Sequence, residues 1–187
     1  MLVLVGLPGS GKTTVGRQLA RRLAIPFVDS DHAIESRLGC SVREYFEREG
    51  EDRFRDIESE VIRDICRNHT GVLSTGGGAV LRAENRQYMR ERGHVFYLRS
   101  SPEEVFRRLR YDQNRPLLQV ADPMARLRDL FETRDPVYKE AAHFVIETNR
   151  PSVSALVNMI IRQMEHIGKL PAPSHDSVHA HTSHARP

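Results

Sequence analysis

The sequence predicts an α/β fold of three layers, in which helices cover both faces of a five-stranded parallel sheet. Five short apolar runs, most of them followed by a helical pattern, carry this prediction. The runs lie at residues 2–5, 25–28, 71–74, 94–98 and 143–147. The first run leads directly into a glycine-rich segment and then a helix, an order typical of parallel α/β sheets. At 187 residues, the chain has room for one such domain and a tail.

Residues 6–14, with the sequence GLPGSGKTT, have the spacing of a phosphate-binding loop. They match G-x-x-x-x-G-K-[ST], in which glycines let successive backbone N–H groups surround an anion. Lys12 is expected to reach the β- and γ-phosphates, and Thr13 to offer its hydroxyl to Mg²⁺. The helix that begins there directs its positive end at the phosphates. A chance glycine-rich turn is the alternative, which the strand and helix on either side disfavour.

The composition limits the class of protein. The formal net charge is +3, and Lys12, Lys139 and Lys169 are the only lysines among 28 basic residues. Arginine suits the recognition of phosphates and carboxylates, and a genome-wide codon bias is the alternative explanation for most of the arginines. Cys40 and Cys66 lack metal-ligand spacing and are expected to be reduced, as in a cytoplasmic protein. The apolar N-terminal run is only as long as a strand, so we expect neither a signal peptide nor a membrane span.

Polar residues and glycines follow the second and third predicted strands. Asp29 and Asp31 stand at the carboxyl end of the second strand, and that edge of an open α/β sheet faces the ligand. Asp31 could instead cap the helix predicted over residues 33–38. The glycines at 76–78 follow the third strand at once, where they would let the backbone approach a ligand closely. A flexible connector is the alternative interpretation of these glycines.

Two helical segments carry charged residues of interest. The helix predicted over residues 51–67 places Arg55 and Glu58 together, beside its apolar stripe. An ion pair between these two residues on the surface is the alternative to a ligand-binding role for Arg55. A later helix begins at Asp122-Pro123, with a kink expected at Pro136. The apolar stripe of the helix predicted over residues 51–67 consists of Phe54, Ile57, Val61 and Ile65.

Two segments show no apolar periodicity. Residues 111–122 have Arg115 near their centre and are interpreted as a mobile lid, with a plain surface excursion as the alternative. Residues 168–187 are rich in His, Pro and Ser and are interpreted as a disordered tail. The folded domain is therefore predicted to span residues 1–167.

Six motifs follow one another along the chain. They are the phosphate loop, Asp29-Ser30-Asp31, Phe54-Arg55-x-x-Glu58, Gly76-Gly77-Gly78, Arg115-Pro116-Leu117-Leu118 and Arg134-x-Pro136-x-Tyr138. Taken together, these motifs resemble those of the shikimate kinase family over nearly all of residues 1–166. The resemblance implies a P-loop kinase fold like that of nucleoside monophosphate kinases, with strand order 2-3-1-4-5. It also implies ATP-dependent phosphorylation of the 3-hydroxyl of shikimate, giving shikimate 3-phosphate on the route to chorismate and the aromatic amino acids.

The same resemblance implies roles for individual residues. Thr13 would bind one Mg²⁺ directly and Asp29 through water. The residues implied in catalysis are Lys12, Asp31 and Arg115. Those implied in shikimate binding are Asp31 for the hydroxyls, Arg55 and Arg134 for the carboxylate, and Gly76, Gly77 and Gly78 for backbone contacts. Those implied in ATP binding are Gly9, Ser10, Gly11, Lys12, Thr13, Thr14, Arg108, Arg115 and Arg150.

Other functions compete with this interpretation. A kinase of gluconate or of a nucleoside monophosphate is the nearest alternative, but Arg55 and Arg134 with Asp31 suit a carboxylate joined to a ring of hydroxyls. The sequence has no aromatic platform motif of the kind that binds nucleic acid. We expect a monomer with neither nucleic acid nor membrane as partner. A nucleotide-binding module without catalysis is disfavoured by the presence of Lys12, Thr13, Asp29, Asp31 and Arg115.

Overall fold

The computed structural model describes residues 1–110 and 119–170. Within these ranges, the strands are β1 (Leu2–Val5), β2 (Phe27–Asp29), β3 (Val72–Ser74), β4 (His94–Arg99) and β5 (Phe144–Glu147). They form one parallel sheet in the order β2-β3-β1-β4-β5, which confirms the predicted fold class and strand order.

Helices cover both faces of the sheet because successive strand residues point to opposite faces. The helices are α1 (Lys12–Leu23), α2 (Ser30–Leu38), α3 (Val42–Glu49), α4 (Glu51–Asn68), α5 (Ala83–Arg92), α6 (Pro102–Leu109), α7 (Pro123–Ala141) and α8 (Val153–His166). A short 3₁₀ turn, Ala79–Leu81, follows the glycines after β3. In β1, Val3 and Val5 belong to a core with α4 to α7, whereas Leu2 and Leu4 belong to a second core with α1 and α8.

The start of α2 differs from the prediction. This helix begins at Ser30, and its N-cap is Asp29, whose Oδ1 accepts hydrogen bonds from the backbone N–H groups of Asp31 (3.0 Å) and His32 (3.2 Å). The alternative role of Asp31 as the cap is therefore wrong. This cap fixes the first turn of α2 at the carboxyl edge of the sheet. The Asp31 side chain does not take part in the capping.

The core face of α4 is rotated slightly from the predicted stripe. Phe54, Val61 and Ile65 are buried as predicted, but Ile57 is half-buried and Ile62 is fully buried in its place. The rotation also carries Glu58 into the interior, where 1% of its surface is exposed. The Glu58 carboxylate is therefore enclosed by the protein and does not face solvent.

The C-terminal part of the chain agrees with the predicted elements. Pro136 lies inside α7, which continues to Ala141, and the kink stays a prediction. The predicted lid lies largely outside the described residues, as does Arg115, and the same holds for residues 171–187 of the predicted tail. Of the helices that the structure describes, none is both long and apolar enough for a membrane crossing.

Candidate active site

The phosphate loop wraps around its own lysine. Lys12 is 7% exposed, and its Nζ donates hydrogen bonds of 2.8 Å to the carbonyl oxygens of both Gly6 and Leu7. Gly9 and Gly11 have φ angles of +79° and +91°, which L side chains rarely adopt. At Gly9 a Cβ would also lie 2.7 Å from Leu109. The loop therefore needs these glycines to place the ammonium group beneath a concave backbone surface.

A cavity of about 380 Å³ opens above this loop. It is bounded by the loop, by the carboxyl ends of β2 and β3, and by Arg108 of α6. Most of the predicted ATP-binding residues therefore surround one cavity. The predicted residues that line it are Gly9, Gly11, Lys12, Thr13, Thr14, Asp29, Asp31, Gly76, Gly77 and Arg108.

Thr13 and Asp29, the two residues predicted to serve a metal ion, are in contact. The Thr13 hydroxyl donates to Asp29 Oδ2 at 3.0 Å, and Ser74 Oγ lies 3.4 Å from the same hydroxyl. Hydroxyl and carboxylate oxygens are hard ligands of the kind that Mg²⁺ prefers alongside phosphate oxygens. The donor set at this edge of the cavity therefore fits Mg²⁺.

Asp31 lies where this cavity meets a second one. Burial raises the pKa of the Asp31 carboxyl, the nearby Asp29 charge raises it further, and the Lys12 ammonium group opposes both effects. There is no room for a side chain at Gly76, because a Cβ there would lie 2.7 Å from Asp31 Oδ1. Asp31 is thus held between the phosphate loop and the glycines, with a basicity above that of an ordinary aspartate.

The second cavity, of about 680 Å³, contains both arginines of the predicted carboxylate site. Arg55 from α4 and Arg134 from α7 line it together with Asp31, although they are far apart in the sequence. Phe54 and Phe46 supply apolar surface beside them. The lining carboxylates are Asp31, Glu35, Glu47 and Glu58, and Arg43 adds a third guanidinium group. Within this lining, Arg55, Arg134 and Asp31 beside the apolar wall suit the carboxylate and hydroxyls of a small anionic polyol.

Glu58 holds the Arg55 guanidinium in place, a role that sequence reasoning missed. Arg55 Nη1 donates to Glu58 Oε2 at 2.6 Å, and Arg55 also lies 3.4 Å from Glu51. Burial raises the pKa of Glu58, and the Arg55 charge only partly offsets this. A Cβ at Gly78 would lie 2.3 Å from Arg55 Nη2, so the guanidinium group lies directly against that glycine. The spacing of Arg55 and Glu58 predicted an ion pair at the surface, whereas the pair is largely buried, with 12% of the Arg55 side chain and 1% of the Glu58 side chain exposed.

The remaining predicted ATP-binding residues fall into two groups. Arg108 donates to the Ser10 carbonyl oxygen at 3.0 Å and to the Thr148 carbonyl oxygen at 3.2 Å, and it pairs with Glu104. Ser10 is buried beside Lys12. Arg150 is exposed in the loop between β5 and α8 and, among the described residues, is not part of the lining of either cavity. A contact of Arg150 with the nucleotide therefore stays a prediction.

Comparison with known proteins gives relatives along almost the whole chain. The family model described as shikimate kinase matches residues 8–165. The shikimate kinase of Paracidovorax citrulli is 58% identical over 171 residues, which cover 90% of this chain and 93% of that protein. The shikimate kinase of Ralstonia nicotianae is 55% identical over 173 residues, with 92% and 91% of the two chains covered.

Solved structures show the same likeness in three dimensions. The structure of a shikimate kinase from Acinetobacter baumannii in complex with shikimate superposes with a TM-score of 0.84 at 44% identity, covering 89% of this chain and 93% of the other. A gluconokinase from Sinorhizobium meliloti superposes with a TM-score of 0.57 at 18% identity, covering 89% and 94%. The second likeness is one of fold alone.

Proposed function

The chain belongs to the shikimate kinase family, and we propose that its two adjoining cavities hold ATP and shikimate on either side of Asp31. It is an ATP-dependent kinase that phosphorylates the 3-hydroxyl of shikimate, a step in the synthesis of chorismate and the aromatic amino acids. One observation carries the division of the site: Asp31 lines both cavities, one with the phosphate loop and the other with two arginines.

The first cavity binds ATP. Lys12 places its charge at the β- and γ-phosphates, while the loop N–H groups and the start of α1 surround them. Thr13 would hold one Mg²⁺ directly and Asp29 would hold it through water. When bound there, Mg²⁺ neutralises charge on the phosphate oxygens. Arg108, Arg115 and Arg150 complete the nucleotide site, and of these Arg115 lies outside the described residues.

The second cavity binds shikimate. Arg55 and Arg134 hold its carboxylate, with Glu58 fixing the orientation of Arg55. The backbone of Gly76, Gly77 and Gly78 approaches the ring, since any side chain at these positions would meet a neighbouring part of the site. Asp31 accepts a hydrogen bond from the reacting hydroxyl and takes its proton as the phosphoryl group is transferred.

The wider setting is part of the same proposal. We place the enzyme in the cytoplasm as a monomer, with neither nucleic acid nor membrane as partner. Both cysteines, Cys40 and Cys66, are free, which fits a reducing compartment.

A substrate panel tests the function directly. In a coupled assay of ADP release with ATP and Mg²⁺, we expect kcat/KM to be highest with shikimate, because two guanidinium groups and a carboxylate match its carboxylate and hydroxyls. Gluconate and the nucleoside monophosphates serve as competitors in separate reactions. Faster turnover of gluconate or of a nucleotide than of shikimate would overturn the assignment.

The carboxylate site is tested by replacing Arg55 or Arg134 with lysine. Lysine keeps the charge but lacks the planar fork, so each change should weaken shikimate binding by about 1 to 3 kcal/mol, the range for a charged hydrogen bond. The affinity for ATP should hardly change. Calorimetric titration of each variant with shikimate, and separately with ATP, measures both effects.

Arg126→Lys is the matched control for these variants. Arg126 is also on α7, but it pairs with Asp129 at the surface, where such pairs contribute about 0 to 1 kcal/mol. We expect its shikimate affinity to equal that of the wild type. Unchanged shikimate affinity in both Arg55→Lys and Arg134→Lys would remove the carboxylate site and the strongest residue-level argument for the substrate.

A further inference from the structure

Tyr138 joins three parts of the site. It lies on α7, four residues after Arg134, and is fully buried. Its hydroxyl donates a hydrogen bond of 2.5 Å to the carbonyl oxygen of Gly77. On the other side of Gly77, a Cβ would lie only 2.6 Å from the Pro8 ring of the phosphate loop. The glycine backbone is therefore enclosed between the phosphate loop and the Tyr138 hydroxyl.

The turn of α7 that carries Arg134 is anchored beneath the site. The Tyr138 ring packs against the Tyr97 ring, with centroids 4.9 Å apart, and the Tyr97 hydroxyl donates to Asp135 at 2.8 Å. Asp135 directly follows Arg134 and also binds Arg99 at 2.8 Å and Lys139 at 2.7 Å. Arg134 thus projects from a helical turn whose buried face is fixed to β4, while Tyr138 fixes the same turn to Gly77.

The Tyr138 hydroxyl is protonated at neutral pH and donates its hydrogen bond to Gly77. Burial raises the pKa of Tyr138 to about 12. The Arg134 charge, a hydrogen bond that Arg134 donates to the hydroxyl oxygen, and the Arg55 charge all lower it, and the Glu58 charge raises it. These three residues are the charged groups around this hydroxyl, and Arg134 and Arg55 form the carboxylate site. A protonated phenol has a single O–H group to donate, and the Gly77 carbonyl oxygen accepts its hydrogen bond.

We propose that Tyr138 is a positioning residue for shikimate: its hydrogen bond to Gly77 sets the distance between the Arg134 guanidinium and the backbone of residues 76–78. The carboxylate of a bound shikimate must contact the Arg134 guanidinium while its ring contacts the backbone of residues 76–78. A change in the distance between these two parts therefore lowers the affinity for shikimate. This inference rests on the proposed role of Arg134 in carboxylate binding. It assigns a role to a buried side chain that does not itself touch the reacting atoms.

The test compares Tyr138→Phe with Tyr97→Phe. Each variant loses one buried hydroxyl and keeps its ring, so both should lower the melting temperature. Asp135 keeps Arg99 and Lys139 as donors in Tyr97→Phe, whereas the Gly77 carbonyl loses its Tyr138 donor in Tyr138→Phe. We expect Tyr138→Phe to raise the Kd for shikimate about tenfold, the equivalent of one buried hydrogen bond, with the KM for ATP within about twofold of the wild type.

Tyr97→Phe should leave both the shikimate Kd and the KM for ATP within about twofold of the wild type. A shikimate Kd for Tyr138→Phe within twofold of the wild type, or an equal increase in Tyr97→Phe, would overturn the positioning role. A rise in the KM for ATP as large as the rise in the shikimate Kd would also overturn it, because that pattern indicates a general loss of structure.

A double mutant separates this inference from the function on which it rests. Because Tyr138 acts through Arg134, Tyr138→Phe should change the shikimate Kd by less than about threefold when Arg134 is already lysine. A full tenfold loss in that background would overturn the proposed link. If Arg134→Lys alone leaves shikimate binding unchanged, the carboxylate site itself is wrong, and that result is distinct from a failure of Tyr138→Phe alone.

Discussion

Replacing Lys12 with alanine is expected to lower kcat by about a thousandfold or more, which amounts to loss of measurable turnover. Lys12 supplies a compact positive charge where negative charge builds up on the transferred phosphoryl group. The structure holds its Nζ 2.8 Å from the carbonyl oxygens of both Gly6 and Leu7, and Lys12 lines the cavity above the phosphate loop. The coupled ADP-release assay at saturating ATP and shikimate measures the loss.

Lys169→Ala is the control for this change. It removes the same charge from an exposed residue after α8, in the neighbourhood of His94 at the opposite edge of the sheet from the phosphate loop. We expect wild-type turnover from this variant and a cooperative thermal transition from both. A Lys12→Ala protein that is folded and keeps wild-type kcat would rule out the role of Lys12 at the phosphates.

The strands and helices could be predicted because their apolar periodicity reflects burial on one or two faces. The residues at which they begin and end depend on tertiary contacts that have no periodic pattern in the sequence. The second strand shows this clearly. It was predicted to begin at Ile25, yet the Ile25 N–H bonds back to Ala20 of α1, and β2 begins at Phe27. Ala24 ends α1 in the left-handed region with φ of 52°, without the glycine that usually marks such an end.

The phosphate side of the site follows from spacing within one segment, whereas the shikimate side depends on the tertiary structure. Residue type alone shows that Arg55 and Arg134 suit a carboxylate, but only the family resemblance indicated that they meet. The burial of Glu58 had no sequence signal of its own, because it depends on how far α4 is rotated against the glycines after β3. Tyr138 was part of a recognised motif, yet its bond to Gly77 could be seen only in the structure.

Replacing Asp31 with asparagine should lower kcat by about a hundredfold or more, the range for a positioned acid-base group. Asparagine keeps the shape and can still contact a hydroxyl, but it cannot take a proton. Burial and the nearby Asp29 charge raise the pKa of Asp31, which strengthens it as a base. Steady-state kinetics with shikimate and ATP give the effect on kcat, and Asp64→Asn, on the exposed face of α4, is a control that should turn over normally.

The raised pKa of Asp31 also predicts in which direction Asp31→Asn changes the stability of the folded state. A carboxyl whose folded-state pKa lies above its unfolded value favours the folded state at pH values below the unfolded pKa, and this stability is lost as the pH rises through the folded pKa. At neutral pH the wild-type enzyme therefore carries the cost of a buried charge that Asp31→Asn lacks. The variant should melt at the same temperature or higher at pH 7, so its lost activity cannot be ascribed to unfolding. A kcat near that of the wild type, from a protein with this melting behaviour, would exclude Asp31 as the base.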